Sequence, residues 1–212
     1  MSDTFYPQTL PEQTAKLLTL IGQVKPNFLM SFYLSGGTAL SLQLGHRESE
    51  DLDFFSEHPF EPRLVQAELE KFDKVQDLEL AENTLNGYIQ DVKLQFLGYP
   101  YPLLEELIDY KGIKLSSILD IACTKLQTIG MRGSKKDFVD MYVILQRFTL
   151  TELFGKLETK YRDSEFNVPH ILKSLVYFND AEDQVMPRLH TTIEWDEVKK
   201  RMTQVVREFK LS

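Results

Sequence analysis

Residues 34–55 read LSGGTALSLQLGHRESEDLDFF, and the rest of the chain is best read outward from them. Phe32, Tyr33 and Leu34 form a short apolar run that breaks at Gly36-Gly37, the pattern of a buried strand ending in a turn. TALSLQLG then reads as a compact helix closed by Gly45, and LDFF as a second strand. On a strand, alternate side chains share a face, so Asp51 and Asp53 project together while Leu52 points into the core. Two carboxylates about 7 Å apart along one strand can converge on a divalent cation, and such hard oxygen donors suit Mg²⁺. An isolated Asp-x-Asp is more often a pair of solvated edge residues. Here a glycine turn precedes it. Gly36 and Gly37 let the backbone approach a ligand closely, and a helix beginning at Thr38 offers free N–H groups and a positive dipole end to a phosphate. The structural alternative is a tight turn followed by a Thr cap.

Upstream, residues 10–24 place Leu17, Leu18, Ile21 and Val24 at helical spacing, with Pro26 stopping the helix. Downstream, residues 60–72 read as a helix. Residues 75–97 read as imperfectly alternating strands, with Asn86-Gly87 as a turn signal and VKLQFL as the clearest strand. After Pro100 and Pro102 the character changes: residues 103–109, 116–130, 135–148 and most of 151–210 read as helices. The expected architecture is α+β, a mixed sheet with flanking helices over residues 1–100. An all-helical half follows over residues 101–212, with the boundary near Gly98–Pro102.

The chain of 212 residues is long enough for a substantial core. It contains no run of 18 or more apolar residues, and MSDTFYPQTLPEQ lacks the basic-then-apolar layout of a signal peptide. The expectation is a cytoplasmic protein without a membrane partner. A single cysteine, Cys123, excludes an internal disulfide and a Cys-rich zinc site, and its apolar helical context reads as core. His46, His58, His170 and His190 are scattered without metal-ligand spacing. A net charge of −8 argues against a long grip on nucleic acid. Between Cys123 and Arg147, however, five basic residues face two acidic ones. That local bias suits a small phosphate-bearing ligand, or one end of a nucleic acid.

The stretch SGGTALSLQLGHRESEDLDFF closely resembles the first motif of the AbiEii/AbiGii-type nucleotidyltransferases. These form a branch of the DNA polymerase β-like superfamily that includes toxins of bacterial toxin–antitoxin systems. TKLQTIGMRGSKKDFVDMYVIL, residues 124–145, resembles the family's later motif, and both occur in the expected order. The resemblance covers roughly residues 30–150. It implies a nucleotidyltransferase fold, with a helical domain completing the active site. It also implies that Gly36, Gly37 and Thr38 hold an NTP's triphosphate, that Asp51 and Asp53 bind Mg²⁺, and that Lys125 and Asp137 serve the active site. Arg47 is a further candidate for phosphate neutralisation, or else a solvated loop arginine. Asp137 also fits a capping box with Ser134, and Asp140 an i,i+4 partner of Lys136. Phe138, Met141, Tyr142 and Leu145 read as core.

One position departs from the superfamily pattern. A third carboxylate is expected on a later strand, where VKLQFL places Gln95; Asp91 lies about 13 Å away along an extended strand. The resemblance implies transfer of a nucleoside monophosphate from NTP to an acceptor hydroxyl, with an RNA or tRNA end favoured over a protein hydroxyl. It implies a toxin role and a cognate antitoxin. The alternatives are a catalytically weak or inactive nucleotide-binding module, and a metal-free interaction protein on the same scaffold.

Overall fold

The structure, a computed structural model, describes residues 4–162 and 166–209. The chain divides into two compact units, Met1–Ser117 and Ile118–Ser212. The first contains α1 (Glu12–Val24), β1 (Tyr33–Leu34), α2 (Gly36–Leu44), β2 (Leu52–Ser56) and α3 (Pro62–Leu69). It continues with β3 (Gln76–Ala81), β4 (Thr84–Ile89), β5 (Val92–Gly98), β6 (Ile108–Tyr110) and β7 (Ile113–Leu115). The seven strands form one mixed sheet in the order β3-β4-β5-β2-β1-β7-β6. β2 runs parallel to β5, and β1 pairs antiparallel with β2 and parallel with β7.

Alternation decides which face of the sheet is buried. Leu52, Phe54, Leu94, Phe96, Leu85 and Ile89 point to one side and are at most 1% exposed. The Phe54 and Phe96 rings stack at 4.9 Å across the β2–β5 pair. Each such buried ring contributes about 1.5–3 kcal/mol relative to exposure. On the other side of β4 and β5, Asn86, Tyr88, Lys93 and Gln95 are only partly buried, the polar face of a largely antiparallel region.

Four readings require correction. Asn86-Gly87 is not a turn but the middle of β4, where Gly87 makes room for the Val75 side chain, whose Cγ1 a Cβ would meet at 2.6 Å. The turn lies at Gln90-Asp91, both with positive φ, which matches the two-residue hairpin geometry between the paired Ile89 and Val92. Residues 103–109 are not a helix. Ile108–Leu115 form the β6–β7 hairpin around Lys111-Gly112, again with positive φ at both positions. That hairpin belongs to the sheet, so the chain divides after Ser117 rather than near residues 98–102. The helix after β1 begins at Gly36, two residues before Thr38.

Among the described residues, the longer regular elements of the second unit are all helices: α4 (Ile118–Met131), α5 (Lys135–Ile144), α6 (Leu150–Lys160), α7 (Val168–Ser174), α8 (Asn179–Glu182) and α9 (Trp195–Glu208). Residues 163–165 and 210, which the sequence reading included among helices, lie outside the described residues. The core joins Ile121, Leu126 and Ile129 of α4 to Phe138 and Met141 of α5, Leu153 and Leu157 of α6, and Val198 and Met202 of α9, all nearly or fully buried. Phe138 packs against Phe178 and Trp195 with ring centroids 5.2 and 5.8 Å away. α5 starts with the capping box expected at Ser134 and Asp137.

Candidate active site

The corner formed by β1, α2 and β2 is built on glycine. The Ser35 N–H donates to the Asp53 carbonyl at 2.9 Å, bringing the end of β1 against β2. Gly36 then takes φ +65°, in the left-handed region. A Cβ there would collide with Asp53 Oδ2, so the backbone of the first helical residue lies directly on the Asp53 carboxylate. Ser35 is the N-cap of α2 but makes no side-chain cap. Its hydroxyl instead meets Ser116 Oγ at 2.8 Å. Ser35 thus caps none of the first N–H groups of α2, which lie at the positive end of the helix dipole, the kind of end that can receive an anion.

The loop between α2 and β2 is tied to the same corner. Thr38 is fully buried, and its Oγ1 lies 2.9 Å from Ser49 Oγ and 2.5 Å from the Asp51 carbonyl oxygen. Its side chain thus positions Asp51, and what Thr38 can offer a phosphate is its backbone N–H. Arg47 is 3% exposed, which excludes the solvated-arginine reading. Its Nη1 donates to the Glu48 carbonyl at 2.8 Å. Its Nη2 lies 2.5 Å from where a Gly37 Cβ would stand, so the guanidinium packs onto the glycine backbone.

Asp51 directly precedes β2 and Asp53 lies within it; both are half-buried, flanking the fully buried Leu52. In the parallel β2–β5 pair Asp53 stands opposite Gln95, so the position of the expected third carboxylate is occupied by an amide. Asp91 sits at the β4–β5 turn and is exposed. Among the described residues no group of three or more His, Cys, Asp or Glu side chains could hold a metal. Two carboxylates nevertheless fit Mg²⁺, which commonly binds one or two protein carboxylates and completes its shell with waters and substrate phosphates. The close approach that Gly36 allows at Asp53 leaves that carboxylate beside the N-terminus of α2.

In the helical unit, Lys125 Nζ lies 2.8 Å from Asp137 Oδ1 and 2.6 Å from Asp140 Oδ2, all three side chains being at least nine-tenths buried. Asp137 also accepts from the Ser134 hydroxyl and backbone N–H through Oδ2. It is therefore both helix cap and ion-pair partner. Sequence reasoning missed a second buried pair, Lys160 with Asp120 at 2.7 Å. The available signal was a lone acid inside the apolar run ILDIACTKL, but a partner forty residues away has no spacing rule. Burial pushes the nearby Cys123 thiol up to about 12, the behaviour of an unreactive core cysteine.

Solved structures with this fold define its class. The Mycobacterium tuberculosis H37Rv nucleotidyltransferase toxin MenT4 superimposes with a TM-score of 0.56 at 14% identity, covering 97% of this chain and 88% of that one. JHP933 from Helicobacter pylori does so with a TM-score of 0.56 at 19% identity, covering 94% and 92%. The fold is that of the nucleotidyltransferases. The model of the family described as nucleotidyl transferase AbiEii toxin, type IV toxin–antitoxin system, matches residues 20–117, ending where the sheet unit ends. The Aquifex aeolicus (strain VF5) protein aq_aa25 is 39% identical over 184 residues, 84% of this chain and 87% of that one. The chain belongs to the AbiEii nucleotidyltransferase toxin family, and its activity class is nucleotidyl transfer. Among the described residues no helix is long and apolar enough to cross a membrane.

Proposed function

We propose that this protein transfers a nucleoside monophosphate from an NTP to the terminal hydroxyl of an RNA, tRNA foremost, and that an antitoxin restrains it. The observation that supports the reading is the contact of Gly36 with Asp53, which brings the N-terminus of α2 against that carboxylate. The N–H groups at the start of α2 hold the β- and γ-phosphates. Asp51 and Asp53 hold a divalent cation, Mg²⁺ by the preference of hard oxygen donors, which supplies charge stabilisation at the phosphoryl oxygens. The buried Thr38 hydroxyl fixes the Asp51 backbone, and the Arg47 guanidinium packed on Gly37 supports the turn from below. In the reaction the acceptor hydroxyl gives up its proton to water, its oxygen bonds to the α-phosphorus, the bond from that phosphorus to the bridging oxygen breaks, and pyrophosphate leaves. Gln95 beside Asp53 can hydrogen-bond an acceptor hydroxyl but cannot take its proton. In the helical unit, Lys125 and Asp137 are proposed as functional residues because they match the later motif.

The test incubates the protein with Mg²⁺, each α-labelled NTP in turn and total bacterial tRNA, beside an Asp51→Asn/Asp53→Asn variant. Label on RNA with the wild type and none with the variant is the expected result. Label on protein, or transfer that survives the double substitution, would overturn the reading.

A further inference from the structure

Asp51 and Asp53 differ in what holds them. Asp53 lies inside β2, between β1 on one side and β5 on the other. Asp51 ends the loop 45–51 that joins α2 to β2. The ladder with β5 starts at Leu52, so it does not fix the peptide ahead of Asp51. Two threonines supply what the ladder does not. The Thr38 hydroxyl holds the Asp51 carbonyl. On the other flank, the Thr14 hydroxyl of α1 donates to the Glu50 carbonyl at 3.1 Å. Peptide units are planar, so a residue's backbone has only two soft torsions, one toward each neighbouring unit. With a carbonyl of each unit held, both torsions of Asp51 are restrained. So is the direction in which its carboxylate leaves the chain.

Thr14 is 2% exposed, on the face of α1 that also buries Leu17, Leu18 and Ile21. A helical threonine can bond back to the carbonyl four residues earlier, as Thr19 does to Ala15 at 2.7 Å. Thr14 instead directs its one donor to a chain 36 positions away. The residues before α1 cross the same loop. The Ser49 N–H donates to the Thr9 carbonyl at 3.0 Å, the Tyr6 N–H donates to the Leu42 carbonyl at 2.8 Å, and the Tyr6 ring lies on Gly45. The Thr14 bond therefore joins two segments already fastened together, the preorganised support that holds a ligand group in one direction.

We infer that Thr14 is a positioning residue for Asp51, and that residues 6–14 form a strap holding the metal-binding loop in place. This rests on the reading of Asp51 and Asp53 as metal ligands, and adds to it a residue outside the 34–55 stretch. A group that orients a metal ligand acts through the metal, and losing one costs about 10–100-fold in metal affinity or activity. A threonine that only fastened α1 to the loop would contribute to stability alone, so the two roles separate in a binding measurement.

The experiment compares wild type with Thr14→Val, which keeps the side-chain shape, Thr14→Ala, which leaves room, Thr14→Ser, which keeps the hydroxyl, and Thr19→Val. Mn²⁺ affinity is titrated by electron paramagnetic resonance, with the protein alone and with α,β-methylene analogues of the four NTPs, which bind without transfer. Thermal unfolding is recorded for each variant. Thr14→Val and Thr14→Ala should weaken Mn²⁺ binding on the order of 10-fold, while Thr14→Ser and Thr19→Val stay near wild type whatever their unfolding temperatures. In transfer assays the two hydroxyl-free variants should need proportionately more Mg²⁺ for half-maximal rate, and regain most of kcat at saturating Mg²⁺. Unchanged Mn²⁺ affinity in both, or an equal loss in Thr14→Ser or Thr19→Val, would overturn the positioning role and leave Thr14 a fastening of α1. A wild type whose Mn²⁺ binding is absent, or survives Asp51→Asn/Asp53→Asn, would overturn the metal-site reading and the strap with it.

Discussion

Replacing Gly36 by alanine tests the corner at its tightest point. The residue sits at φ +65°, a conformation that costs a non-glycine residue roughly 1–2 kcal/mol. The new methyl would collide with Asp53 Oδ2, so the carboxylate must retreat. For a domain of this size the backbone cost lowers Tm by about 2–8 °C. The catalytic cost is larger, because a displacement of about 1 Å at a reacting group costs on the order of 10²-fold. Gly37→Ala is the internal control. Its methyl would meet the end of the Arg47 side chain at 2.5 Å, and no positive φ is required there. A flexible terminus can shift, so its effect on kcat/KM should be several-fold smaller. The assay is nucleotidyl transfer at subsaturating NTP, paired with thermal unfolding of each variant. If Gly36→Ala retains wild-type kcat/KM, or if Gly37→Ala proves the more damaging, the Asp53 contact does not organise the site.

Two further outcomes concern the helical unit. Lys125→Met removes the cation between two buried carboxylates and should destabilise by about 3–5 kcal/mol. Adding Asp140→Asn should recover part of that loss, as read by urea unfolding followed through Trp195, the sole tryptophan. A loss below about 1 kcal/mol would show that the cluster is not desolvated. Cys123 predicts an alkaline weakness. Its folded pKa is raised to about 12 by burial, so above the ordinary thiol value of about 8.5 the unfolded chain releases a proton that the folded chain keeps. Stability therefore falls as pH rises through that window, by about 1–2 kcal/mol at pH 10. Wild type should lose that much more than Cys123→Ala between pH 8 and pH 10; equal losses would contradict the assignment.

The strand–glycine–helix–strand order of residues 33–56 was legible because each element carries its own local signal: an apolar run, a glycine break, a closing Gly45 and alternation at Asp51 and Asp53. The Ser134–Asp137 capping box was legible for the same reason. The strand carrying Gln95 could be read from VKLQFL, but its neighbour could not, because register is a tertiary property. Asn86-Gly87 misled because the best hairpin dipeptide serves here for close packing, while the true hairpin uses Gln90-Asp91. Residues 103–109 place Leu103, Leu104 and Leu107 at helical spacing, and only the Lys111-Gly112 turn hints at the hairpin. The side-chain duties of Thr38 and Arg47 were not legible at all. Both depend on where the 46–51 loop returns, which no propensity encodes.

The Ser35–Ser116 contact also sets when the site can exist. Leu34 pairs with Leu115, the Ser116 N–H donates to the Leu34 carbonyl at 3.0 Å, and Gln43 Nε2 reaches the Ser116 carbonyl at 3.0 Å. The N-terminal end of α2 is thus closed by residues made some eighty positions later, a separation of 81 for the two serine hydroxyls. Contacts of such long sequence separation must overcome loop closure before they stabilise anything, and they form late. During synthesis the glycine corner stays unfinished until the chain has passed Ser116 and that segment has left the ribosome.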